Sequence, residues 1–185
     1  MITDDVLDKW IAEEGEILRR VRAGAGAGVA GREQIGKLSG LQVMEAMLAG
    51  KLPIANMAKT LDFGAIAVGP GTAIFQGSPT ADHLNPMGTV HGGWISTILD
   101  SALGTAILTQ LPAGVGYTTA NLTVRYLKPL TPAVVRVRAY ARATALGGRE
   151  AFAEARLLGP DQLVYAEARA ECRVMGPPPV KSYQD

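Results

Sequence analysis

The 185-residue sequence has one cysteine, Cys172, which excludes an internal disulfide and any cysteine-based metal cluster. Its place in an alternating apolar run predicts a buried thiol. Charge of one sign is also lacking. Eighteen basic and 17 acidic residues nearly cancel, so there is no electrostatic case for a nucleic-acid or polyanion partner. Every apolar stretch is broken well short of the ~20 residues a membrane helix needs, and no membrane partner is expected. The opening MITDDVLDKW has neither an apolar core nor a small-residue cleavage site, which reads against a secretory signal and towards a reducing, cytoplasmic setting. A GxSxG elbow is absent, against a serine hydrolase of the α/β type. His83 and His91 have no companion carboxylate cluster, so no metal site is predicted. Gly26, Gly28 and Gly31 spell GxGxxG, but they trail a helical pattern instead of following a strand. They read as a flexible linker rather than a nucleotide loop.

What remains is a chain that is 48% apolar, enough for one folded domain with a core. Residues 3–22 place Val6, Trp10, Ile11, Ile17, Leu18 and Val21 roughly on one stripe of a charged helix that must dock somewhere. A second amphipathic helix is expected after Ser39 as N-cap, with Gly50 as its stop. From Leu61 the pattern changes to strands, and Gly69, Pro70 and Gly71 mark a hairpin turn. Four more strands are predicted: 117–128, 133–146, 149–158 and 163–175. In the last three, small apolar residues (Val135 to Ala143, Ala151 to Leu157, Val164 to Val174) alternate with arginines and glutamates. The charged faces read as cross-strand pairs. Alanine-rich inner faces let another element lie close to the sheet, and the long apolar helical pattern starting near His91 is the candidate. The expected class is α+β, an antiparallel sheet wrapped around one buried helix.

That helix carries the only Asp, Glu, Lys or Arg between Leu84 and Val124, namely Asp100. Burying a carboxylate costs several kcal/mol unless it is paired or used. Hydroxyls of Thr97 or Ser101, or a distant arginine, would make it structural; otherwise it is a general base or a nucleophile. At the helix start, Gly92 and Gly93 offer backbone N–H groups at a positive dipole end, where an oxyanion can be held. His91 adjoins that end and reads as a neutral ring orienting the loop, and His83 as a solvated loop residue. Gly92 and Asp100 are eight residues apart, ~12 Å along a helix, too far to act on one carbonyl carbon. Two antiparallel copies of the helix would bring them together, so a homodimer with two shared sites is expected.

The residues NPMGTVHGG followed by Asp100, then TTANLTVRYLKP and the last two strands, resemble the hotdog-fold thioesterases of the PaaI (phenylacetate-pathway) type. The resemblance covers about residues 40–174. It implies a hotdog domain at 39–176, preceded by a helical extension and glycine-rich linker at 1–38 and followed by a tail at 177–185. It also implies paired subunits joining their sheets, often as tetramers, and an acyl-CoA substrate with no cofactor. By resemblance, Asp100 is the catalytic acid, Asn85 polarises the thioester or orients the nucleophile, and the Gly92 N–H holds the carbonyl oxygen. A hydroxyl on the following strand would position water, either Thr119 or its neighbour Thr118. Gly93 would adjoin the substrate, and Arg125, Lys128 and Arg149 are the candidate holders of the nucleotide phosphates. The implied activity is acyl-CoA hydrolysis. The alternatives are a non-catalytic acyl-CoA-binding protein, which would be expected to lose the acid, and a dehydratase, whose upstream histidine motif is missing.

Overall fold

The structure is a computed structural model that describes residues 2–176; the expected tail, 177–185, lies outside the described residues. Four helices come first: α1 (Ile2–Ala23), α2 (Arg32–Ile35), α3 (Gly40–Leu48) and α4 (Asn56–Thr60). The hairpin β1 (Phe63–Gly69) and β2 (Thr72–Gly77) follows, then α5 (Gly92–Leu108). Then come β3 (Gly116–Tyr126), β4 (Val137–Gly147), β5 (Glu150–Leu158) and β6 (Val164–Met175). The six strands form one antiparallel sheet in the order β1-β2-β4-β5-β6-β3, so among the described residues β3 is an edge strand paired only to β6.

Alternation dictates the packing. Ala73 and Phe75 of β2, Val137, Ala139 and Ala141 of β4, Ala151 to Leu157 of β5 and Ala166 to Val174 of β6 all turn inward onto α5. The small side chains let the helix sit close to the sheet. Ile98, Leu99, Ala102, Leu103 and Ala106 are wholly buried there. This is the wrapped-helix architecture that the periodicities predict, the hotdog fold. Ser39 caps α3 as expected: its Oγ accepts from Gln42 N while Gln42 Oε1 accepts from Ser39 N.

Several expectations need correction. Val135 lies before β4 and is exposed, because the strand begins only at Val137. The glycine-rich stretch is held, not loose: Ala25 N donates to Gly50 O, and Gly28 N and Ile54 N pair with the carbonyls of Ile54 and Gly26. Nor are all the outward charges cross-strand pairs. Arg142–Glu154, Arg156–Glu167 and Arg173–Glu150 are, but Arg136 and Arg138 reach Glu14 and Glu13 of α1 at 2.8 and 2.6 Å.

Those two arginines locate α1. Gln76 and Arg138 face each other across β2 and β4 and alternate with core residues, so both point to the outer face of the sheet. There α1 covers them. Gln76 Nε2 donates to the Trp10 carbonyl at 3.1 Å, its Oε1 accepts from Arg138 Nε at 2.7 Å, and the Arg138 guanidinium stacks 4.5 Å above the Trp10 ring. No described helix is long and apolar enough to cross a membrane.

Candidate active site

The site begins where α5 begins. His91 is the N-cap: its Nδ1 accepts from Gly93 N at 2.9 Å, which requires that nitrogen to be unprotonated. The exposed ring thus orients the loop, as the sequence suggests. It also occupies the Gly93 N–H, so of the two glycine donors only one stays open: among the described residues, Gly92 N–H has no acceptor. His83 corrects its expectation. It is buried and stacked on Trp94 with ring centroids 5.2 Å apart, and its Nδ1 faces Thr80 N at 3.1 Å. Its backbone carbonyl accepts from His91 N at 2.7 Å, so it props the helix start from behind.

Asn85 holds the loop that leads into the helix. Its Oδ1 accepts from Met87 N at 2.9 Å and Thr89 N at 3.3 Å, while Nδ2 donates to Thr89 Oγ1 at 2.8 Å. This is an Asx turn, and it leaves one N–H of the amide for anything else.

Two turns into α5, Asp100 is half-buried, not sunk in apolar surroundings. Its face of the helix runs Gly92, Ser96, Asp100, Gly104 at a spacing of four, and β3 lies along it in the opposite direction. Thr119 Oγ1 donates to Asp100 Oδ1 at 2.9 Å. Thr118 is on the other face of the strand and exposed, which separates the two threonines that the sequence leaves open. Thr97, one of the hydroxyls that would have satisfied a structural acid, donates to Gly93 O instead. Among the described residues no Lys, Arg or His forms an ion pair with Asp100.

Residues that the motifs did not single out complete the surroundings. Cys172 Sγ on β6 donates to Thr119 Oγ1 at 3.9 Å. The Tyr117 ring rests on Gly104, where an added Cβ would run into the phenol oxygen; only glycine fits there. Burial, and then the charges of Cys172 and Asp100, raise the Tyr117 phenol far above its ordinary range, so it stays protonated. Burial likewise raises the Cys172 thiol, partly offset by its bond to Thr119, with Asp100 and Glu171 adding to the rise. At the other end of β3, Tyr126 lies against Gly92 and Ser96. The signal for these tyrosines is the small-residue spacing on α5 read against the ends of YTTANLTVRY.

The basic candidates separate. Lys128 lines a cleft of about 320 Å³ at the start of α5, together with Gly92, Ile95 and Tyr126. Arg149 sits in the β4–β5 turn, its carbonyl accepting from Val174 N beside Tyr117, at the opposite end of β3. Arg125 faces outward, into a groove of about 1170 Å³ on the back of the sheet. That larger hollow runs among the cross-strand ion pairs and does not contain Asp100.

Sequence comparison points the same way: residues 87–166 match the model of the thioesterase superfamily. That stretch of the chain is similar to the superfamily. Solved structures agree on the hotdog architecture. A phenylacetic acid degradation-related protein from Ralstonia eutropha JMP134 is 28% identical over 71% of this chain and 98% of its own, with a TM-score of 0.65. The PaaI protein of the Escherichia coli phenylacetic acid degradation operon is 21% identical, covers 77% of this chain and 98% of its own, and gives 0.64; that likeness is one of fold. A variant of PaaI from Thermus thermophilus is 26% identical over 63% of this chain and 96% of its own, with a TM-score of 0.57. No curated protein matches the chain. The superfamily match includes Gly92, Asp100 and Thr119 and ends inside β6, so α1 and the linker lie outside it.

Proposed function

We propose that the chain is an acyl-CoA thioesterase that releases a carboxylic acid and free coenzyme A. The observation that carries this reading is a carboxylate, Asp100, on the small-residue face of α5, bonded to a hydroxyl donor and free of any cationic partner among the described residues. Thr119 holds only Oδ1, and Thr97 is turned away to Gly93 O. Asp100 remains able to take a proton from water or to attack a carbonyl.

Acting as base, Asp100 accepts a proton from water while the oxygen attacks the thioester carbon. The Gly92 N–H steadies the oxyanion that forms, the C–S bond then breaks, and the leaving thiolate recovers the proton. Thr119 holds one carboxylate oxygen and so directs the other. The nucleophile route differs only in that Asp100 itself forms the bond, giving an anhydride that water opens.

One chain cannot host both ends of this chemistry, since eight residues of unbroken α5 separate Gly92 from Asp100. The edge of β3 offers the remedy. A two-fold axis pairing two β3 edges antiparallel reverses the order of everything alongside them. The Gly92 and Lys128 end of one copy then meets the Asp100, Thr119 and Arg149 end of the other. Lys128 and Arg149, far apart in one chain, become neighbours where the nucleotide phosphates would lie.

The test is a panel of aryl-acetyl, hydroxybenzoyl, short and medium acyl-CoAs assayed by release of free thiol. Asp100→Asn is expected to lower kcat by roughly 10²–10⁴. Thr119→Val keeps the shape but loses the donor and should lose about tenfold. An active Asp100→Asn variant would remove the mechanism.

A further inference from the structure

We propose that Tyr126 is a positioning residue that clamps the first turn of α5 and so fixes the Gly92 N–H as a donor; this rests on the thioesterase reading of the site. The Tyr126 hydroxyl donates to Gly92 O at 3.1 Å and lies 2.6 Å from Ser96 Oγ. A phenol has one proton, so with that proton on Gly92 O the serine must be the donor in the second bond. The order Ser96 to Tyr126 to Gly92 O ties two turns of the helix to the end of β3.

The ring packs closely on the glycine at residue 92. A Cβ there would lie 3.1 Å from Tyr126 Cζ and from its oxygen, so a side chain would make the ring give by a few tenths of an ångström and loosen the clamp. The first turn of a helix has no intrahelical acceptors for its amides, and it frays unless something holds it. Here His91 holds Gly93 through its N–H, and Tyr126 holds Gly92 through its carbonyl. The Gly92 N–H alone is left open, beside the cleft that Tyr126 and Lys128 share with it. A donor aimed in advance is worth more to a developing oxyanion than one that must first be ordered.

Tyr126→Phe keeps the ring and removes the proton. It is expected to lower kcat on the order of tenfold with KM within about twofold, the signature of an interaction that matters in the transition state. Ser96→Ala should lose less, and Ser96→Ala with Tyr126→Phe should be no worse than Tyr126→Phe alone, because one chain of hydrogen bonds is broken in each. Amide hydrogen exchange supplies a readout independent of turnover: the Gly93 amide, bonded to His91 Nδ1 in the clamped turn, should exchange several-fold faster in Tyr126→Phe, while core amides such as that of Leu99 stay as in wild type. Unchanged kcat, or unchanged exchange at Gly93, overturns the clamp. Wild-type protein inactive on every acyl-CoA would instead sink the thioesterase reading, and the Gly93 exchange rate would still decide whether the clamp exists.

Discussion

Asp100 is legible in the sequence because forty neighbouring positions carry no other formal charge, yet the periodicity overstates its burial. Its neighbours Ser96, Thr97 and Ser101 are polar, and the face it shares with Gly104 is only partly covered by β3. Thr119 could not be told from Thr118 until the strand was seen, since a bulge at Ala120 shifts the alternation midway along β3. His83 misleads for a similar reason. A histidine in a turn-rich segment reads as wet, but its ring has the area to cover Trp94. The buried groups around Thr119 carry a pH signature. Cys172 and Tyr117 have their protonated forms favoured by folding, so each contributes stability below its ordinary pKa, and that contribution is lost as pH rises past it. Stability is therefore expected to hold through neutrality and to fall as pH rises through about 9, where an unfolded cysteine is half ionised. Urea unfolding across the alkaline range should show a shallower fall for Cys172→Ala; an equal slope would remove the thiol from the account.

The elements themselves were the most readable part. Apolar alternation marks β4, β5 and β6, the Gly-Pro-Gly turn marks the hairpin, and the capping box marks α3, because each is set by local geometry. The docking of α1 was not readable. An amphipathic pattern shows which face a helix buries but not against what, and Gln76 and Arg138 occupy positions that look solvent-facing along their strands. Covering them demands complete pairing, which the Trp10 carbonyl, the Trp10 ring and Glu13 provide. Trp10 is consequently the anchor of the extension, only 4% exposed. Trp10→Ala is expected to cost about 3 kcal/mol in denaturant unfolding, well above a surface substitution. A loss under about 0.5 kcal/mol would mean that α1 does not dock as described.

At the scale of the molecule, the sheet is unfinished along β3. Eleven residues of edge, with no bounding strand among the described residues and few charges, form an opening to which another strand can add. Closing it with a second copy is also what the proposed chemistry needs, and complementation separates a shared site from one that is complete in each chain. Gly92→Pro deletes the N–H at the first helical position, where proline suits the helix, and His91 already has the extended backbone that a following proline requires. The Tyr126 ring must yield a few tenths of an ångström. Each homodimer, Gly92→Pro or Asp100→Asn, lacks one half of both sites. In a mixed dimer one site carries both defects and the other carries neither. Equal amounts unfolded and refolded together give half mixed dimers with one live site in two, hence about a quarter of wild-type activity. If Gly92 and Asp100 served one site within a chain, no mixture could regain activity, because every site would keep a defect.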